Sequence, residues 1–211
     1  MPVGAAGVRG LTMDAALYRI RVHGEPVPYN GGRFYLTAGE VTRQGLEFAL
    51  AADLPAGLTA RVSGTLSKNV YDEYRVDSTY LGAPGASVVL DGNRVAGLPG
   101  RVLNGSLGWR PASWLGLELG VQQFGDYYAD DRNAVNVPGF TVFRAAATAE
   151  RALSGGLVAQ ASLAVENLTD ATYVGSAFVN PDYSSGQPLA YESGLPRSLV
   201  LGLTFRRARR R

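Results

Sequence analysis

The chain has 211 residues, 46% of them hydrophobic and 18% charged, with a formal net charge of +2. That apolar content excludes an intrinsically disordered chain, and 27 Gly with 11 Pro in no repeat excludes collagen. No Cys and a single His, His23, exclude disulfides, thiolate metal sites and cysteine nucleophiles, and leave little material for a Ser-His-Asp triad or a histidine metal site. No apolar run approaches the roughly 18 residues of a helical membrane span. Five of the last six residues are arginine, so the rest of the chain is mildly acidic. Met1 to Gly10 reads MPVGAAGVRG and has no apolar core of the length an export leader needs. A chain that works outside the cytoplasm would then be a fragment or a mis-assigned start.

Helical spacing is scarce, and period-two alternation recurs in segments of about ten residues. In chain order, the first segment sets Ala16, Tyr18, Ile20 and Val22 against Arg19 and Arg21, with Leu17 out of phase on the polar side. The second sets Leu46, Phe48, Leu50 and Ala52 against Arg43, Gly45 and Glu47. The third sets Leu58, Ala60, Val62 and Leu66 against Thr59, Arg61, Ser63 and Thr65. Leu103, Leu107 and Trp109 carry the fourth, and Leu115, Leu117, Leu119 and Val121 the fifth. Phe143, Ala145, Ala147 and Ala149 carry the sixth. The seventh runs Leu157, Ala159, Ala161, Leu163 and Val165, and the eighth Leu199, Leu201, Leu203 and Phe205.

Links of two lengths alternate between these segments. Short turns fall near Leu54–Gly57, Arg110–Ser113 and Arg151–Gly156; long links run from about His23 to Val41, Ser67 to Gly100, Phe124 to Gly139 and Asn167 to Arg197. An up-and-down meander then has every tight turn at one end and every long loop at the other. Outer-membrane barrels are built this way, with short periplasmic turns and long extracellular loops. A Greek-key sandwich has no reason to be. The apolar face then meets lipid and the face rich in Ser, Thr, Gln, Gly, Arg and Glu lines a lumen. Trp109 and Trp114 straddle one short turn, where an interfacial girdle sits.

The last 50 residues carry a motif pair. Residues 165–174 read VENLTDATYV and residues 195–205 read LPRSLVLGLTF. Asn167, Leu168, Asp170 and Tyr173, followed by Pro196, Arg197, Gly202 and Phe205, strongly resemble the C-terminal end of TonB-dependent outer-membrane receptors. TRQGLEFAL at 42–50, GLPGRVLNGSLGWRP at 97–111 and the stretch from Gly125 to Ala147 resemble the same family, in family order. The resemblance implies an all-β, antiparallel up-and-down meander of about eight long strands, roughly a third of a 22-stranded transmembrane barrel. It implies residues 1–211 as the C-terminal barrel segment, with 206–211 as a basic tail. It implies outer-membrane uptake of a ferric siderophore or similar scarce ligand, and no enzymatic activity or cofactor. Partners would be outer-membrane lipid, the remainder of the barrel, a plug domain that is not recognisable here, and the TonB complex through that missing N-terminal part. Eight strands without their outer neighbours predict an open sheet with two exposed edges.

Two other readings stay open at this point. One is a self-contained eight-stranded outer-membrane barrel, whose interior side chains must fill; much of the inward face is Gly and Ser. The other is a soluble β-sandwich binding module. Asn167 and Asp170 read as side-chain-to-backbone turn formers, and Pro196 as a strand start. Asp130, Asp131 and Arg132 read as a solvated loop, since a calcium site needs more converging oxygens. Tyr74, Arg75, Tyr80, Tyr127, Tyr128 and Arg132 fall in the long links and are the candidate ligand-loop residues, aromatic rings for a planar chelate and arginines for its negative charge. The arginine tail lacks the interleaved aromatics of a nucleic-acid site.

Overall fold

A computed structural model describes residues 8, 10–29, 32–77, 87–180 and 191–207. Eight of its strands form one antiparallel sheet: β1 (Gly10–Tyr29), β2 (Phe34–Asp53), β3 (Leu58–Glu73), β6 (Arg101–Ala112), β7 (Leu115–Phe124), β10 (Phe140–Ala152), β11 (Leu157–Glu166) and β14 (Ser198–Arg207). Each pairs with the next of these in sequence, so the sheet is a simple meander. The long links add three two-stranded ribbons: β4 (Arg75–Asp77) with β5 (Ser87–Val89), β8 (Tyr127–Tyr128) with β9 (Asn136–Val137), and β12 (Val174–Ala177) with β13 (Tyr191–Ser193). Two of the short links are single 3-10 turns, Pro55–Gly57 and Ser154–Gly156, each closed by a backbone bond of 2.8 Å, from Leu54 to Leu58 and from Leu153 to Leu157.

Register puts like with like across the whole sheet. Leu11, Ala52, Ala60, Leu107, Leu119, Ala145, Val165 and Leu199 are successive pairing partners, one per strand. The neighbouring row on the other face runs Thr12, Ala51, Arg61, Ser106, Gly120 and Arg144. No second layer covers the apolar face among the described residues: Leu17 is 85% exposed, Leu203 76% and Leu201 74%. A soluble sandwich would bury that face, so the sandwich reading is set aside. β1 and β14 are not neighbours in the sheet, so the eight strands do not close on themselves.

The row also climbs. It lies one residue above the turn at β2–β3, where Asp53 pairs Thr59, and seven above it at β10–β11, where Ala152 pairs Val158. Six residues over four strands, at about 3.3 Å per residue and 4.8 Å per strand, is a tilt of about 45°. Outer-membrane barrel strands tilt by a similar angle.

Two expectations need correction. The first strand was read half a period out of phase. Ala16, Tyr18 and Ile20 pair with Glu47, Gly45 and Arg43 on the polar face, and Leu11, Met13, Ala15 and Leu17 share the apolar face with Leu46, Phe48 and Leu50. The Tyr18 ring lies over Gly45, where a Cβ would fall 2.9 Å from its hydroxyl and 2.4 Å from the Leu66 carbonyl oxygen. The long link from His23 to Val41 is also mostly strand, because β1 and β2 continue paired to Tyr29 and Phe34. Pro26 and Pro28 obscured this in the sequence, and proline is tolerated because β1 lies at the edge of the sheet.

The packed core sits at the long-loop end. One cluster joins Val27, Ala38, Val41, Tyr71, Tyr74, Val76, Leu90 and Val95; a second joins Tyr127, Ala129 and Val137.

Candidate functional site

The long-loop end is tied together around one carboxylate. β3 runs past the apolar band and delivers Tyr71, and the chain turns to present Tyr74. Their rings lie 4.7 Å apart, and they are 1% and 2% exposed. Both hydroxyls donate to Asp131 in the β8–β9 link, Tyr71 at 2.6 Å and Tyr74 at 3.4 Å. Asn180, following β12, donates its amide N–H to the same carboxylate at 2.8 Å, and its side-chain oxygen accepts the Asp131 backbone N–H at 3.0 Å. The same amide nitrogen reaches the Pro28 carbonyl at 2.9 Å, and Asn93 donates to the Asp131 carbonyl at 2.8 Å. Three long links therefore meet at Asp131, and the end of β1 joins them through Asn180.

Burial sets the electrostatics. Desolvation, reinforced by the Asp131 carboxylate, pushes both phenols far above their ordinary range, so both are donors. Desolvation also raises Asp131, against the bonds it accepts from Tyr71, Asn180 and Tyr74. Asp130 points its other way. Its Oδ1 accepts the backbone N–H groups of Ala134 (2.9 Å) and Val135 (2.7 Å), and Arg132 Nε lies 3.6 Å from Oδ2. The solvated-loop reading of Asp130 and Asp131 is thus corrected: both are buried, because each finds donors that replace water. Beside them Arg94 donates to the Asp126 carboxylate at 3.1 Å and lies 5.3 Å from the Tyr128 ring centroid. That bond holds the Asp126 carboxyl below its usual range.

Of the candidate ligand-loop residues, Tyr74 and Tyr127 are buried, and Tyr128 is half-buried beneath Arg94. Arg75 in β4 and Arg132 are exposed, and Tyr80 lies outside the described residues. The sequence reading passed over Asn180, Asn93 and Arg94. Their partners lie 32 to 152 residues away in the chain, so no local spacing marks them.

The motif pair forms a clasp at the base of the last link. Asn167, at φ 49, accepts the Ala171 N–H at 2.9 Å and donates to the Ala171 and Leu195 carbonyls at 2.9 and 3.0 Å. Asp170, at φ 56, accepts the Arg197 N–H at 2.9 Å, with the Arg197 guanidinium 3.6 Å from its other oxygen. The Tyr173 ring packs on Gly194, where any Cβ would fall 2.2 Å from it, and lies 4.3 Å from the Phe140 ring. Leu168 donates its N–H to the Phe143 carbonyl, anchoring the clasp to β10. Pro196 sits just before β14, its carbonyl accepting from Ser198; Gly202 pairs with Ser162, and Phe205 projects on the apolar face. Along the polar wall, Arg144 bridges Glu118 at 2.6 Å and Glu166 at 2.7 Å, and Arg206 meets Glu150 at 2.7 Å.

These features define an outer-membrane-type barrel wall capped by tied loops. The family described as TonB dependent receptor-like, beta-barrel, matches residues 5–168, and the chain belongs to that family. No curated protein sequence matches the chain. Among solved structures, the unliganded ferric citrate transporter FecA superposes with a TM-score of 0.71 at 17% identity, over 93% of this chain and 29% of that one. The siderophore receptor PiuA from Acinetobacter baumannii gives 0.69 at 18% identity, over 92% and 26%. The ferric yersiniabactin uptake receptor FyuA from Yersinia pestis gives 0.66 at 16%, over 93% and 27%. The chain spans about a quarter of the length of these receptors.

Proposed function

We propose that this chain is the C-terminal barrel portion of an outer-membrane receptor that imports a ferric siderophore or a similarly scarce chelate. The single observation carrying the reading is the apolar row from Leu11 to Leu199, which crosses eight tilted strands and stays uncovered. Such a face is stable against hydrocarbon and unstable against water. The family match supports the transport class. The receptors it resembles are named for ferric citrate and ferric yersiniabactin, which supports an iron chelate as cargo.

On this reading the chain makes and breaks no bonds. The polar row with the Glu118–Arg144–Glu166 triad is a wetted passage wall and the surface a plug would meet. Arg75 and Arg132 are exposed among the long links, where a negative chelate would arrive. Energy from TonB enters through parts of the receptor outside this chain.

The test is genetic and chemical. Cells from which this coding segment is deleted are grown under iron limitation on a panel of single iron sources: ferric citrate, a ferric hydroxamate, a ferric catecholate and ferric yersiniabactin. Loss of growth on at least one source, restored by the intact gene, is the expected result. Undiminished growth on every source would contradict the iron-chelate cargo.

A further inference from the structure

The basic C-terminal end is unused by the transport reading, and the sheet gives it a direction. On the apolar face, alternation along β10 runs Phe143, Ala145, Ala147, Ala149 and then Arg151. Along β14 it runs Leu199, Leu201, Leu203, Phe205 and then Arg207. Register fixes their relation: Arg151 pairs with Ala159, Ala159 with Phe205, and Leu157 with Arg207. The two arginines are therefore two strands and one outward position apart, roughly 12 Å between Cα atoms. They flank Phe205 at the short-turn rim. Both are exposed, and neither has an ion pair among the described residues. Their neighbour Arg206 faces the polar side and is neutralised by Glu150. No apolar-face position of β10, β11 or β14, the strands around these two arginines, is a carboxylate. The backbone N–H of Glu150 donates to the Trp114 carbonyl at 2.8 Å, which places a girdle tryptophan beside Arg151.

We propose that Arg151 and Arg207 form a binding site for the headgroup of an anionic phospholipid in the leaflet at the short-turn rim, with Phe205 and Leu157 against its acyl chains. The inference rests on the membrane-barrel reading. Outward cations next to an aromatic and apolar surface, with no carboxylate to share, match a phosphate diester attached to hydrocarbon. The guanidinium groups supply forked donors to the phosphate oxygens. Arg209, Arg210 and Arg211, which come after Ala208 in the sequence, carry charge of the same sign.

Trp109 and Trp114 are the only tryptophans, so a Trp109→Phe background leaves Trp114 as the sole reporter at this rim. The full chain in that background is reconstituted in mixed micelles carrying acyl-brominated phosphatidylglycerol or acyl-brominated phosphatidylcholine. Quenching of Trp114 then gives the relative binding constant of the two lipids. The expected preference for phosphatidylglycerol is about fivefold per arginine, roughly twenty-five-fold for the pair. It falls to near unity in Arg151→Gln/Arg207→Gln, persists in the double Lys variant and survives Arg206→Gln. Equal quenching by both lipids in the unmodified rim, or an undiminished preference in the double Gln variant, overturns the proposal. If the double Gln variant does not fold, salt decides: about 0.5 M NaCl should remove most of the preference, and a salt-insensitive preference overturns it. A chain that folds in buffer without micelles overturns the barrel reading and this site with it. A chain folded in micelles without lipid preference overturns the site alone.

Discussion

Asp131 is the residue on which the mouth depends, and its charge gives the clearest residue-scale test. Burial raises its folded-state pKa above the ordinary carboxylate value, so the folded mouth binds the proton more tightly than the unfolded chain does. Stability from this group is fully present below the ordinary carboxylate pKa and is lost as pH rises through the raised value. Amide exchange at Asp131 and Asn180, corrected for intrinsic rate, is therefore expected to be slowest in mild acid and to quicken above it. Asp131→Asn should flatten that dependence; an unchanged profile in the variant would remove Asp131 from the role. A second test concerns the clasp. Asn167 is buried and makes three bonds to backbone, so Asn167→Ala should cost about 2–3 kcal/mol. Thermal unfolding in detergent reads the loss, and an unchanged midpoint would mean the motif does not hold the last link. The clasp residues were legible because they form a motif in contiguous stretches. The Asp131 hub was not, because Tyr71 and Asn180 lie 60 and 49 residues from it and only the tertiary fold joins them.

At the scale of elements, period two carried the information. Every strand whose polar and apolar residues alternate cleanly lies where the alternation placed it, including β14 and its Leu199 to Phe205 stripe. β1 failed because both faces carry apolar side chains: Tyr18 and Ile20 are turned inward over Gly45 and Arg43, and Leu17 outward. The upper parts of β1, β2 and β3 were invisible because above the lipid band their inner face is packed by loops, so the strict alternation lapses. The same logic assigns a cost to each face. Leu119→Arg, at the middle of the band, should destabilise the inserted protein by about 2–4 kcal/mol in a urea titration in bilayers, whereas Ser162→Arg on the polar wall should cost far less. Equal costs on both faces would argue against lipid on one of them.

For the whole molecule, the strand order, the tilt of about 45° and the two unpaired edges fit a segment of a larger cylinder better than a complete one. Fold class and strand number were readable from the sequence, since one alternation rule and one rule of link length govern the entire chain. The tied loops obey neither, so their arrangement was not readable.

The most direct measurement is solvent accessibility along β14 and β10. Single nitroxide labels are placed at Leu199, Val200, Leu201, Gly202, Leu203 and Thr204, and at Ala145 through Thr148, in the full chain reconstituted in bilayers. Collision rates with molecular oxygen and with a water-soluble nickel chelate are then compared. Oxygen should dominate at Leu199, Leu201, Leu203, Ala145 and Ala147 and nickel at the positions between them, alternating residue by residue. Low oxygen access at the leucines, or no alternation, would contradict a face bathed in hydrocarbon.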